Sequence, residues 1–203
     1  MYERILFVCT GNTCRSPMAE AIFRELAAKE GLTCQVRSAG VSALDGSPIS
    51  KHAADILQAK GISDRLYSSA LTEETAEWAD LILTMTMGHK QIVIQRFPQT
   101  ADKIFTLKEF ASDDPKGEES FAERQRIAAE LQIKQSLGQP MTPEEQIMAS
   151  RQMIGMFDLD ISDPFGGDRQ TYEQCANEIE RHVQKLVHKL MENGGQTGRT
   201  GNV

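Results

Sequence analysis

Nowhere in the 203 residues does an apolar run approach the roughly 20 residues that a membrane-spanning helix needs, which argues against an integral membrane protein. Positive charge is also in deficit: 22 lysines and arginines stand against 29 aspartates and glutamates, a formal net charge of −7. Nucleic acid and anionic membranes are therefore not expected as main partners, because both select basic surfaces. Aromatic residues make up only 6% of the chain, and the single tryptophan, Trp78, is most simply a core residue. The four cysteines have no metal-ligand spacing. His52, His89, His182 and His188 stand in apparent helices without cysteine or carboxylate at ligand spacing, so solvated or packing roles are expected. No metal or organic cofactor is called for. With no secretory leader in evidence, the cysteines fit a reducing cytoplasm.

What is present can enclose a full core: 40% of the residues are hydrophobic and 25% charged. Strand signals at Arg4 to Val8, Cys34 to Ser38, Asp80 to Met85 and Lys103 to Leu107 alternate with helical ones. The helices are read at Pro17 to Lys29, Lys51 to Lys60, Met87 to Phe97 and Thr171 to Met191. The alternation predicts a doubly wound α/β domain: a four-stranded parallel sheet with helices on both faces and its working loops at the carboxyl ends of the strands. Along the last helix, Cys175, Ile179, His182, Val183, Leu186, Val187 and Leu190 form a stripe that should pack on the sheet. Residues 1–192 read as a single domain, and 193–203, rich in glycine and polar residues, as a disordered tail.

A polar, helix-prone stretch at about 112–160 interrupts the alternation as a helical insertion. Glu118 to Leu137 reads as one helix and Gly138-Gln139-Pro140 as its end. Thr142-Pro143-Glu144-Glu145 reads as a capping box with proline at the first helical position. Met141, Met148, Met153 and Met156 cluster in and just before the second helix, more a packing stripe than a partner surface.

The most informative residues are Cys9-Thr10-Gly11-Asn12-Thr13-Cys14-Arg15-Ser16, where the first strand gives way to a helix. A glycine-bearing turn at such a junction aims several N–H groups at one point, and the helix dipole adds to the attraction for an oxyanion. Cys9 at the start of the loop and Arg15 six residues later place a sulfur and a guanidinium in that cradle. The helix end, the N–H groups and Arg15 all favour the thiolate, a standing nucleophile. Ser16 is placed to hydrogen-bond the sulfur, and the planar fork of Arg15 fits two phosphoryl oxygens at once. Gly11 is expected to supply positive φ, with Asn12 as the other tolerant position.

The stretch Val8 to Pro17 resembles the phosphate loop of the low-molecular-weight protein tyrosine phosphatases. Arg37-Ser38-Ala39-Gly40 is similar to a family turn after the second strand, Ala79 to Met85 to the third strand and its lead-in, and Asp163-Pro164-Phe165-Gly166 to the loop of the general acid. The similarity spans about residues 3–110 and 160–192. It implies hydrolysis through a cysteinyl-phosphate intermediate, with Cys9, Arg15 and Asp163 catalytic. Thr10, Gly11, Asn12, Thr13, Cys14, Ser16 and Phe165 are implied as substrate-binding, and Ser38 as a support that bonds Asn12.

Chemically, a carboxylic acid opposite the nucleophile is what a poor leaving group needs. Read from its residues alone, Ser162-Asp163-Pro164 fits the start of the final helix better, and it is the resemblance that favours the acid.

Thr13 and Phe165 stand where tyrosine-specific members usually carry a larger aliphatic residue and tyrosine. The pair resembles the bacterial protein arginine phosphatase branch, which acts on phosphoarginine in proteins; a phosphotyrosine-specific enzyme is the alternative. The resemblance also implies a redox pair, Cys9 and Cys14, whose disulfide shields the nucleophile from over-oxidation. An arsenate reductase of the same fold would need relay cysteines after the third strand, and Leu81 to Gln91 has none. Phosphorylated proteins are the implied partners, and a monomer is expected.

Overall fold

In the first strand, β1 (Arg4–Cys9), every residue from Ile5 onward is buried, with no polar alternation. A strand covered on both faces and paired on both edges reads this way. In the computed structural model, which describes residues 2–112, 130, 133–134, 137–143, 145–146 and 159–195, β1 pairs in parallel with β2 (Gln35–Gly40) and with β3 (Leu81–Thr84). Beyond β3 lies β4 (Ile104–Thr106), and the strand order is β2-β1-β3-β4.

Alternate side chains of these strands build two cores. Ile5 and Phe7 with Leu81 and Leu83 face α1 (Arg15–Lys29), α2 (Lys51–Ala59), α5 (Leu107–Phe110) and α6 (Arg169–Gly195). Leu6, Val8, Ile82 and Ile104 face α3 (Glu73–Trp78) and α4 (Met87–Arg96). Fully burying a side chain of this size contributes about 1.5–3 kcal/mol, so both faces stabilise the sheet. After β2 the chain crosses back over β1 to begin β3. The strand order therefore reverses beside β1, and the crevice of a doubly wound sheet opens at its carboxyl end, where Cys9 sits. Among the described residues no helix is long and apolar enough to cross a membrane.

Several boundaries differ from expectation. β2 runs on to Gly40, so Arg37-Ser38-Ala39-Gly40 is strand rather than a turn after it; the Gly40 amide bonds Ser69 O at 2.9 Å and extends the pairing. The unanticipated α3 is set by a Thr72/Thr75 capping box, and the four-residue α5 by a Thr106/Glu109 box. Both are too short for hydrophobic periodicity to reveal. Trp78 lies at the rim of the core, half-buried, with the Arg37 guanidinium 4.2 Å over its ring. In α6 the expected stripe is buried apart from the half-buried His182, and it packs chiefly on α1 rather than directly on the sheet.

The helix of α6 continues to Gly195, beyond Met191 and three residues into the expected tail, although Asn193 and Gly194 are poor helix formers. Residues 196–203, Met148, Met153 and Met156, and most of the helix expected at Glu118 to Leu137 lie outside the described residues.

Two local expectations in the insertion are met. Gly138 has φ 64° and Gln139 N–H reaches Lys134 O at 2.9 Å, the hydrogen-bond pattern of a helix closed by glycine. The Thr142/Glu145 capping box has both its bonds, at 2.9 and 3.2 Å.

Candidate active site

The loop between β1 and α1 is shaped by one residue in the left-handed region, Asn12 at φ 51°; Gly11, expected to take that role, does not. Asparagine tolerates this backbone, and its side chain repays the strain by tying the loop down. Fully buried, Asn12 donates from Nδ2 to Ser16 Oγ and Ser38 Oγ, both at 2.9 Å, and accepts from Ser69 N at 2.7 Å. Ser38 Oγ in turn donates to Glu20 Oε2 on α1 at 2.6 Å. The expected Ser38–Asn12 bond is therefore present, within a chain of polar groups running from β2 through the loop to α1. Gly40 completes the support: a Cβ there would stand 2.5 Å from Thr10 O and 2.8 Å from Asn12 N, so only glycine lets the end of β2 lie against the loop.

This scaffold directs donors at the buried Cys9 sulfur. Ser16 Oγ lies 3.0 Å from Cys9 Sγ, and Asn12 N–H points at it from 3.3 Å. The amide donates to the sulfur, and the thiol and the hydroxyl can each donate to the other. The N-cap of α1 is Cys14, without a side-chain cap bond, so the first-turn N–H groups are left for an anion. Arg15, whose side chain is only 6% exposed, donates from Nη2 to Asp163 Oδ2 at 2.8 Å and from Nη1 to Ile161 O at 3.4 Å.

Asp163, 148 residues away in sequence, is thereby placed across from Cys9 with its side chain 55% exposed. It does not start the final helix, which opens at Arg169. Phe165 N–H donates to Asp163 Oδ1 at 3.1 Å, and the Phe165 ring stands out at the rim, 81% exposed.

Cys9, Thr10, Gly11, Thr13, Cys14, Arg15, Asp163 and Phe165 enclose a cavity of about 210 Å³. Asn12 and Ser16, expected among the substrate-binding residues, are fully buried behind it and hold the loop and the sulfur instead.

Sequence reading missed His89. It is buried, with Nε2 2.8 Å from Thr10 Oγ1 on the loop and Nδ1 2.8 Å from Thr86 Oγ1, the cap of α4. Burial first, then repulsion by Arg15, lower its pKa to about 4 against the opposing pull of Asp163. At neutral pH the ring is therefore neutral, one nitrogen donating and the other accepting. Tyr172 was missed as well. Its hydroxyl lies 3.2 Å from Cys14 Sγ, and burial, followed by that contact, raises its pKa. Neither residue carries a local signal, since each reaches the loop from a distant helix.

A strand-terminal cysteine, an anion-binding turn with an arginine in it and an aspartate across the cavity define a cysteine-dependent phosphatase site on a doubly wound sheet. The family model of the low molecular weight phosphotyrosine protein phosphatases matches residues 4–123 and 127–196, and the chain belongs to that family. The matched residues run further than the two stretches of similarity read from sequence and enter the segment set aside as an insertion. A curated relative, the protein-arginine-phosphatase of Geobacillus stearothermophilus, is 38% identical over 190 residues, covering 94% of this chain and 97% of its own. The solved structure of the YwlE arginine phosphatase from that organism superposes with a TM-score of 0.70 at 35% identity, covering 100% of both chains. A YwlE mutant solved with a phosphorylated active-site serine matches with a TM-score of 0.69 at 37% identity, covering 93% of this chain and 95% of that one.

Proposed function

We propose that the protein removes phosphate from phosphoarginine in proteins through a cysteinyl-phosphate intermediate. The observation that carries the reading is the convergence of Cys9 Sγ, Arg15 and Asp163 on one cavity with Thr13 in its wall. The Cys9 thiolate attacks phosphorus as the P–N bond breaks. Asp163 gives its proton to the leaving nitrogen, and Arg15 and the loop N–H groups hold the phosphoryl oxygens. Asp163, now a carboxylate, then takes a proton from water as that water attacks phosphorus; the P–S bond breaks, and phosphate and the thiolate are released.

Support for the arginine branch comes from two sources: the names of the relatives, and Thr13, whose small hydroxyl-bearing side chain gives the cavity wall a polar group suited to a guanidinium, where a larger aliphatic side chain would offer an apolar surface to a phenyl ring. Parallel turnover of phosphoarginine and phosphotyrosine peptides tests it. The wild type should prefer phosphoarginine, and Thr13→Ile should move the ratio of the two kcat/KM values toward phosphotyrosine by at least about tenfold, the effect of roughly 1 to 3 kcal/mol of pocket shape. A wild type that prefers phosphotyrosine, or a ratio unmoved in the variant, overturns the arginine assignment and leaves the phosphatase.

Cys14 lines the same cavity as Cys9, which supports a reversible disulfide between them. After mild peroxide, peptide mapping should find Cys9 joined to Cys14, with activity restored by a thiol reductant. Cys9 joined to Cys34 or Cys175 would point to a reductase relay instead. Burial raises the pKa of both those thiols, Cys175 to about 12, which makes them poor relay nucleophiles. The reading places the enzyme in the cytoplasm, as a monomer acting on phosphorylated proteins.

A further inference from the structure

We propose that Glu178 of α6 is a positioning residue for Asp163, gripping Ser162 so that the acid stays over the cavity once Arg15 turns to the phosphoryl group. The inference rests on the reading of Asp163 as the general acid.

Arg15 holds Asp163 here at 2.8 Å through its guanidinium. A phosphoryl group on Cys9 competes for the same N–H donors, because the fork matches two oxygens of one anion. Asp163 then needs anchors of its own. Upstream, Ile161 N–H donates to Met85 O and Met87 N–H to Asp160 Oδ1, both at 2.7 Å, which ties the incoming chain to the end of β3 and the start of α4. Downstream, Gly167 N–H bonds Pro164 O at 2.9 Å, a contact within the loop itself.

The residue next to Asp163 is held more completely. Ser162 N–H and Oγ–H both donate to Glu178 Oε2, at 3.1 and 2.7 Å, and Ser162 O accepts from Cys175 Sγ at 3.3 Å. Cys175 and Glu178 are one helical turn apart on α6 and take every polar group of Ser162 between them. Cys175, with its pKa near 12, remains a thiol and a donor.

Glu178 is itself fixed. Lys108 Nζ sits 2.6 Å from Glu178 Oε1, both side chains being largely buried at 15% and 17% exposure, so the carboxylate spends one oxygen on Lys108 and the other on Ser162. Burial would raise the Glu178 pKa, but Lys108 and the Ser162 donors outweigh it and hold the group below its ordinary value. The carboxylate is therefore charged wherever the enzyme works. A buried pair of this kind is weak as a source of stability, while its directionality is well suited to holding a loop in one register.

The test compares full-length wild type, Glu178→Gln, Ser162→Ala and Asp163→Asn on two aryl phosphates, phenyl phosphate with its poor leaving group and dinitrophenyl phosphate with its good one. Inorganic phosphate serves as the inhibitor. Glu178→Gln should lower kcat/KM for phenyl phosphate about five- to twentyfold and for dinitrophenyl phosphate less than about twofold, with phosphate inhibition unchanged. Ser162→Ala, at an exposed position that does not endanger folding, should show the same pattern more weakly.

If Asp163→Asn discriminates between the substrates while Glu178→Gln and Ser162→Ala slow both equally or neither, Glu178 only stabilises α6 and the positioning role is overturned. If Asp163→Asn itself fails to discriminate, the acid reading falls, and the positioning role falls with it.

Discussion

Replacing Cys9 by serine should stop turnover, by roughly 10⁴-fold or more, while inorganic phosphate still binds. The cradle depends on Asn12, Ser38, Gly40 and the start of α1, and a serine oxygen keeps a polar atom beside the Asn12 amide and Ser16 Oγ, where the sulfur stood. What is lost is the sulfur proposed as the nucleophile. A serine hydroxyl at that position has Ser16 Oγ and the Asn12 amide as its neighbours, groups suited to stabilising an anion and not to removing a proton. His89, a candidate base beside the loop, is committed to Thr10 and Thr86. Calorimetric titration with phosphate alongside peptide turnover separates the two effects. Activity within about tenfold of wild type in the serine variant would sink the nucleophile assignment.

The second large effect is expected at Asp163. Asparagine keeps the shape and the carbonyl oxygen that Arg15 holds, but it has no acidic proton to give. Asp163→Asn should therefore lower kcat/KM by roughly 10²- to 10⁴-fold for phenyl phosphate and much less for dinitrophenyl phosphate, whose leaving group departs without help. The measurement is the dependence of kcat/KM on leaving-group basicity across a series of aryl phosphates. Equal slowing along the series would remove Asp163 from the acid role, and the contact with Arg15 would then be no more than an ion pair at the mouth of the site.

Much of this site was legible because its central element is local. Cys9, Arg15 and Ser16 share one loop, and a strand, a turn and a helix start within eight residues leave little freedom in where those side chains meet. The alternation of strands and helices likewise carried the parallel sheet and its two covered faces. The errors cluster where neighbours along the chain do not decide the outcome. Gly11 looked like the flexible position, yet Asn12 takes positive φ, because its buried amide finds partners on β2 and on the segment around Ser69 that no local reading contains. Asn12 and Ser16 looked like ligand contacts and instead brace the loop from behind. Trp78 looked like core and lies at its rim under Arg37.

The chain's sequence by itself determined the turn between β1 and α1, the cysteine and arginine it carries and the α/β architecture, since these rest on contacts between residues close along the chain and on hydrophobic periodicity. Only the tertiary structure decided what faces them. Asp163 joins Arg15 across 148 residues, His89 reaches Thr10 across 79 and Tyr172 reaches Cys14 across 158. Such pairings follow from how the helices pack around the ends of the strands, and no spacing within the sequence encodes them.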